Sequence, residues 1–156
     1  MHLLEINKEN LGQADPFILK TNNKYFIYVT GHNGIYAYSS DSLLTGWKYH
    51  GLVLSYPNGN AFWAPSVIEL DGKLYMYNSI ELPSAKPDES GHIGAMHVSE
   101  SNNPLGPFTN TKQLICPFSI DSHVVKNEAG LWIFYSTNRH EGDRIGTYIV
   151  VDKLIN

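Results

Sequence analysis

The chain contains a single cysteine and few charged residues. One cysteine, Cys116, excludes an internal disulfide framework and a cysteine-rich zinc site. Because it precedes a proline in an apolar patch, we expect Cys116 to be a buried free thiol rather than a nucleophile. Charged residues make up 17% of the 156 residues, against roughly 25% in an average soluble domain. A net charge of -4 with no basic cluster predicts no nucleic-acid partner.

The chain also lacks a leader and long apolar runs. The opening "MHLLEINKEN" has no basic segment followed by an apolar one, so we expect no signal peptide. No apolar stretch approaches the ~20 residues that a membrane-spanning helix needs. Long apolar patterns with a helical period are missing as well. These absences predict a soluble, cytoplasmic protein that is not helical and has no membrane partner.

What the chain does have is aromatic strands joined by tight turns. Ten Tyr, six Phe and three Trp give an aromatic content of 12%, and such residues favour strands. Three short runs are rich in aromatic and β-branched residues, namely "KYFIYVTG" (Lys24–Gly31), "KLYMYNSI" (Lys73–Ile80) and "LWIFYST" (Leu131–Thr137). Each follows another apolar run across a polar turn, as at Asn22-Asn23 and Asp71-Gly72, where the residue types favour hairpins.

The three hairpins align without gaps, which indicates an internal repeat. Asp15, Ala64 and Asp121 occupy equivalent positions at the start of the three units, and we call these the start positions. Further equivalent sets are Phe26, Tyr75 and Trp132, followed by Tyr28, Tyr77 and Phe134. A period of roughly 50–57 residues with three or four strands per unit is typical of a β-propeller. A β-sandwich is the alternative, but it would not produce equivalent positions at this period.

The repeat predicts one all-β domain that is a partial β-propeller. Blade 1 is expected over about 13–56, blade 2 over about 62–118, and an incomplete blade 3 over about 120–156. That is about two and a half blades, whereas closed propellers have about 4–8. Because an open stack leaves an apolar face unpaired, we expect a homodimer or a complementing chain to close the ring.

Four motifs in order carry a resemblance to a known family. They are "ADPFIL", "WAPSVIELDGKLYMYNS", "GAMHVSESNNPLGPF" and "SIDSHVV". Together they resemble glycoside hydrolase family 43, and the resemblance extends over nearly the whole chain from Gln13. It implies half of a five-bladed propeller that hydrolyses arabinose- or xylose-containing sugars with inversion.

The resemblance also implies roles for two acids. Asp15 matches the family's general base, which activates water, and Asp121 matches the Asp that orients the acid and tunes its pKa. The family's general acid is a Glu that opens the fourth blade, beyond the last residue of this sequence. Without the resemblance, Asp15 before Pro16 would be read as a turn residue. The alternative to hydrolysis is a propeller fragment that binds carbohydrate without cleaving it.

Five further residues are candidates for sugar binding. Trp63 precedes the second start position, where its ring would stack on a sugar or pack between blades. His123 follows Asp121 by two residues, so strand alternation places both on one face, where His123 would line the site or serve equally well as a structural histidine. The weaker candidates are Phe62, Asn78 and Arg139, and for Arg139 a solvated position in a loop is the favoured interpretation. An oligosaccharide is therefore the expected partner.

No cofactor is expected from the residues themselves. His92 and His97 have the wrong parity to face together on one strand, which argues against a histidine metal pair. The resemblance leaves open a central metal ion such as calcium. No glycine-rich phosphate loop and no nucleophile elbow occur in the sequence.

Overall fold

The computed structural model describes residues 13–83, 87, 91, 93–115 and 118–154. Cys116, His92 and the first twelve residues, on which some of the sequence predictions fall, lie outside them. The described residues form eleven β-strands and no helix. The strands are β1 (Phe17–Thr21), β2 (Lys24–Val29), β3 (Ile35–Ser40), β4 (Lys48–Leu54), β5 (Ala61–Leu70), β6 (Lys73–Glu81), β7 (Gly94–Ser101), β8 (Thr109–Ile115), β9 (Ile120–Asn127), β10 (Gly130–Arg139) and β11 (Gly146–Leu154).

The strands form three antiparallel sheets that follow one another along the chain. The first has the order β1-β2-β3-β4, the second β5-β6-β7-β8, and the third β9-β10-β11. Each is a meander in which every strand pairs with its neighbour in sequence, as in a propeller blade. Strand β5 of the second sheet packs against β1 on one side and β9 on the other. The all-β prediction and the partial propeller are confirmed.

Tight turns at the predicted sites set the register of the first two hairpins. Asn22 and Asn23 have φ angles of 49° and 58°, and Asp71 and Gly72 have 51° and 78°. Two consecutive residues with positive φ characterise the hairpin turn that matches the twist of the strands, and Asn, Asp and Gly tolerate it best. The strand pairs close directly on these turns, at Thr21↔Lys24 and Leu70↔Lys73.

Two apolar layers hold the three sheets together. Between the first and second sheets, Tyr28 packs in one buried cluster with Phe62 and Met76. Between the second and third, Tyr77 and Met96 pack with Val124 and Ile133. Burying one such side chain stabilises the fold by about 1.5–3 kcal/mol. Each layer therefore fixes the position of one blade relative to the next.

The third sheet leaves its other face uncovered. We call this surface the open face; its members are Val125, Phe134, Ile149 and Val151, which share one side of the sheet by register. Phe134 is 42% exposed, whereas its equivalents in the first two sheets, Tyr28 and Tyr77, are 0% and 6% exposed. The open face therefore has the apolar composition of the layers between the blades. Among the described residues, no further blade covers it.

Within the described ranges, no helix is long and apolar enough to cross a membrane.

Candidate active site

The three start positions share one unusual backbone conformation. Asp15, Ala64 and Asp121 have φ angles of 50°, 46° and 57°. Positive φ is uncommon for residues other than glycine, and Asp tolerates it better than Ala. The alignment of the sequence repeats therefore corresponds to a real structural equivalence. In blades 1 and 3, this conformation presents an acid.

Irregular strand pairing accounts for this conformation in the second and third sheets. The β5–β6 register shifts between Trp63 and Ser66, on either side of Ala64. The β9–β10 register shifts between Phe134 and Ser136, opposite the segment that contains Asp121. A bulge of this kind takes a residue out of the ladder and changes the direction of its side chain. Strand alternation alone does not predict that direction.

The first strands of blades 1 and 3 meet beside the two acids. The rings of Phe17 and His123 lie 5.9 Å apart between centroids. Phe17 follows Asp15 by two residues, as His123 follows Asp121. This contact brings the beginnings of β1 and β9 together near the first residues of β5, so the two acids border the same space.

The electrostatics link the two carboxylates directly. The pKa of Asp121 is raised above its ordinary value, first by partial burial and second by the negative charge of Asp15. Both causes disfavour the ionised form, because burial removes water and a like charge repels. A carboxyl whose pKa is raised by burial and by a neighbouring carboxylate is typical of acid–base sites.

Thr30, at the end of β2, is a site residue that the sequence analysis missed. Its hydroxyl donates to Asp15 Oδ2 at 2.7 Å and accepts from the Ala64 backbone N–H at 3.0 Å. A signal was present in the repeat: Thr30, Ser79 and Ser136 all lie fifteen residues after a start position and all carry a hydroxyl. The hydroxyl set is as regular as the aromatic sets.

Two of the predicted sugar contacts are in the core. Phe62 is fully buried between the first and second sheets, and its backbone pairs with Gly31 of blade 1. Asn78 is also fully buried, in β6. Neither side chain is open to a ligand, because the inter-blade layers bury residues of β5 and β6 that the sequence pattern alone placed near the site.

The other three predicted contacts are accessible. Trp63 is half-buried and pairs with Ser79, one residue before the second start position. His123 is exposed beside Phe17. Arg139 is exposed at the end of β10, with its guanidinium 5.9 Å from the ring centroid of Tyr148. Arg139 thus contacts an aromatic ring of its own sheet.

Among the described residues, no three His, Cys, Asp or Glu side chains converge on one point. Calcium also takes backbone carbonyl and water oxygens as ligands, so the central metal ion stays a question that the resemblance alone raises.

Comparisons with known proteins agree with this geometry. The model of the family described as "Glycosyl hydrolases family 43" matches residues 10–155. A protein named probable arabinan endo-1,5-alpha-L-arabinosidase C, from Aspergillus clavatus, is 36% identical over an alignment of 83 residues that covers 48% of this chain and 24% of that protein.

Two solved structures cover more of the chain. A thermostable family-43 glycoside hydrolase is 29% identical with a TM-score of 0.72, over 92% of this chain and 48% of that one. An endo-1,4-beta-xylanase from Bacteroides thetaiotaomicron is 29% identical with a TM-score of 0.69, over 94% and 48%. The chain therefore spans about half the length of these structures.

Three sequential antiparallel sheets whose fold matches family-43 structures define a partial β-propeller. The chain belongs to family 43 of the glycosyl hydrolases.

Proposed function

We propose that this chain provides the base-bearing part of an inverting glycosidase that acts on arabinose- or xylose-containing oligo- or polysaccharides. The observation that carries the proposal is the pair of acids. Asp15 and Asp121 occupy equivalent left-handed start positions, and the charge of Asp15 contributes to the raised pKa of Asp121. The relatives named above, an arabinosidase and a xylanase, support the class of sugar.

In the proposed reaction, Asp15 accepts a proton from water as the water oxygen attacks the anomeric carbon. The bond to the leaving oxygen breaks on the opposite face of the sugar, and a carboxylic acid donates its proton to that oxygen. Inversion requires the base and the acid to lie about 6.5–9.5 Å apart, which leaves room for the water. Asp121 has the role of orienting the acid and raising its pKa by like-charge repulsion.

Trp63 is the proposed platform for the sugar. The apolar face of a pyranose or furanose ring packs on an indole, and hydroxyl groups at its edge bind polar neighbours. Trp63 is half-buried, directly precedes Ala64, and lies on the strand between the two acid-bearing strands. A sugar stacked there would have its reactive carbon next to the space that Asp15 and Asp121 border.

The general acid is proposed to come from a further blade that packs on the open face. Phe134 supports this because it repeats the positions of Tyr28 and Tyr77, both of which are covered by the next blade. The first strand of such a blade would begin beside the acids already present, as β1, β5 and β9 do. A complementing chain with a Glu at the start of that strand would serve equally well, whereas a second copy of this chain would cover the open face but bring only Asp15, Ala64 and Asp121 at its start positions.

A second candidate function is carbohydrate binding without hydrolysis. It is favoured by the fact that the start positions of the described blades supply only two acids, with Ala64 in the third place. Calorimetry with xylotriose and arabinotriose tests it on the chain alone. Binding without release of free sugar supports the binding module, and release of sugar by the chain alone rules it out.

The stereochemistry of the product tests the proposed hydrolysis. The chain would be joined to the part of the Bacteroides thetaiotaomicron relative that it does not match, which supplies the remaining blades. Proton NMR then follows the anomeric signal of the first sugar released. We expect the configuration opposite to that of the substrate, since water attacks the face opposite the leaving group. First release of the retained anomer would contradict the role of Asp15 as a base.

A further inference from the structure

We propose that Thr30 is the positioning residue for the Asp15 carboxylate, and that it couples this carboxylate to the sugar-binding segment at Trp63 and Ala64. The importance of the carboxylate rests on the proposed function, but the positioning itself does not. Thr30 belongs to blade 1 and Ala64 to blade 2, so one hydroxyl joins the predicted base to the neighbouring blade.

The contacts of Thr30 hold its hydroxyl from two sides. It donates to Asp15 Oδ2 over 2.7 Å and accepts from the Ala64 N–H over 3.0 Å. The backbone is held as well, because the Thr30 N–H donates to the Ala14 carbonyl over 3.1 Å. Thr has few χ1 choices because it is β-branched. The position of the hydroxyl oxygen is therefore fixed relative to both partners.

A hydrogen bond to a carboxylate is stronger than one between neutral groups, and linked hydrogen bonds polarise one another. Two hydrogen bonds are linked in this way at Thr30, one from the Ala64 N–H to the Thr30 hydroxyl and one from that hydroxyl to Asp15 Oδ2. Within the described residues, the other oxygen of Asp15 accepts no hydrogen bond. Thr30 thus occupies one oxygen and leaves Oδ1 to receive a proton from water.

Ser79, the residue of blade 2 that is equivalent to Thr30, distinguishes the structural contact from the contact with the acid. Ser79 donates to the Ser119 carbonyl over 2.8 Å and so ties blade 2 to blade 3. A hydroxyl at this position therefore joins consecutive blades in both cases. Among the described residues, the hydroxyl also reaches the acid at a start position in blade 1 alone, where Thr30 donates to Asp15. Ser79 is for that reason a matched control for the purely structural role.

The coupling has a consequence for sugar binding. A sugar that moves Trp63 also moves the Ala64 N–H, which is the next amide along β5. Because that N–H donates to Thr30, the displacement is passed to Asp15 through a single side chain. The orientation of the base then responds to occupation of the neighbouring subsite.

NMR of the isotope-labelled 156-residue chain tests the proposal without any enzyme assay. Three-bond couplings from the backbone nitrogen and carbonyl carbon to Cγ report the χ1 populations of Asp15, and hydrogen exchange reports the Ala64 amide. We expect one rotamer in the wild type and in Thr30→Ser. In Thr30→Val we expect averaged couplings and exchange at Ala64 that is about fivefold faster, the factor for one hydrogen bond. Thr30→Ala is the second variant if the valine interferes with folding.

Ser79→Ala should leave the Asp15 couplings and the Ala64 exchange unchanged. A single Asp15 rotamer in both Thr30→Val and Thr30→Ala overturns the proposal, as does rotamer averaging in the wild type. Equal averaging in Ser79→Ala also overturns it, since loosening of the blades would then explain the effect. Sugar binding and hydrolysis are measured separately. Failure there counts against the proposed function and leaves the positioning of Asp15 intact.

Discussion

Replacing Asp15 with Asn is expected to reduce glycoside hydrolysis by about 10²–10⁴-fold, the contribution of a positioned general base. The amide cannot accept the proton of the attacking water. It keeps the size of the side chain, tolerates the left-handed conformation at φ 50°, and retains an oxygen that accepts the Thr30 hydroxyl. Turnover of nitrophenyl arabinofuranoside and xyloside measures the effect, with the chain joined to the part of the Bacteroides thetaiotaomicron relative that it does not match.

Asp71→Asn is the matched control for this substitution. Asp71 is also an exposed acid at positive φ, in the turn between β5 and β6, and it lies away from the start positions. Its replacement should leave turnover within about twofold. If Asp15→Asn retains full activity, with circular dichroism and thermal unfolding unchanged, Asp15 is not the base.

Replacing Ile133 with Ala is expected to lower the free energy of unfolding by about 2–5 kcal/mol. Ile133 is 0% exposed and packs with Tyr77, Met96 and Val124 in the layer between blades 2 and 3. Removing its outer carbons leaves a cavity that neighbours in two rigid sheets cannot fill. Urea unfolding followed by circular dichroism gives the difference directly.

The same substitution on the other side of the same sheet is the control. Ile149 lies in β11 and is 79% exposed on the open face, so Ile149→Ala should change the free energy of unfolding by no more than about 0.5 kcal/mol. Equal losses at the two positions in the isolated chain would mean that the open face is covered in solution, for instance by a second copy.

The repeat in the sequence predicted the fold because each unit must bury equivalent apolar side chains against the next blade. Tyr28 and Tyr77 are equivalent in sequence, and both pack against the next blade. Turn chemistry at Asn22-Asn23 predicted a hairpin that the φ angles confirm. The start positions also emerged from the alignment, and the structure gives all three of them a positive φ.

Side-chain direction near the site was not predictable in the same way. Strand alternation assumes a regular ladder, but β5 shifts register between Trp63 and Ser66. Phe62 and Asn78 were predicted to contact the sugar, yet both are buried, because adjacent blades cover both faces of the second sheet. Thr30 was missed because its role depends on a contact between two blades. The sequence repeat shows that a hydroxyl recurs at this position, but it does not show which residue of the next blade that hydroxyl contacts.

The titration of Asp121 tests most directly whether the two acids share one site. Carboxyl carbon NMR would follow its pKa in the wild type and in Asp15→Asn. In the wild type we expect the pKa above the ordinary value of about 3.9, because of burial and then the charge of Asp15. In Asp15→Asn the pKa should fall, since the repulsion is gone, and stay raised, since the burial persists. An Asp121 pKa that is the same in both proteins would contradict a shared site.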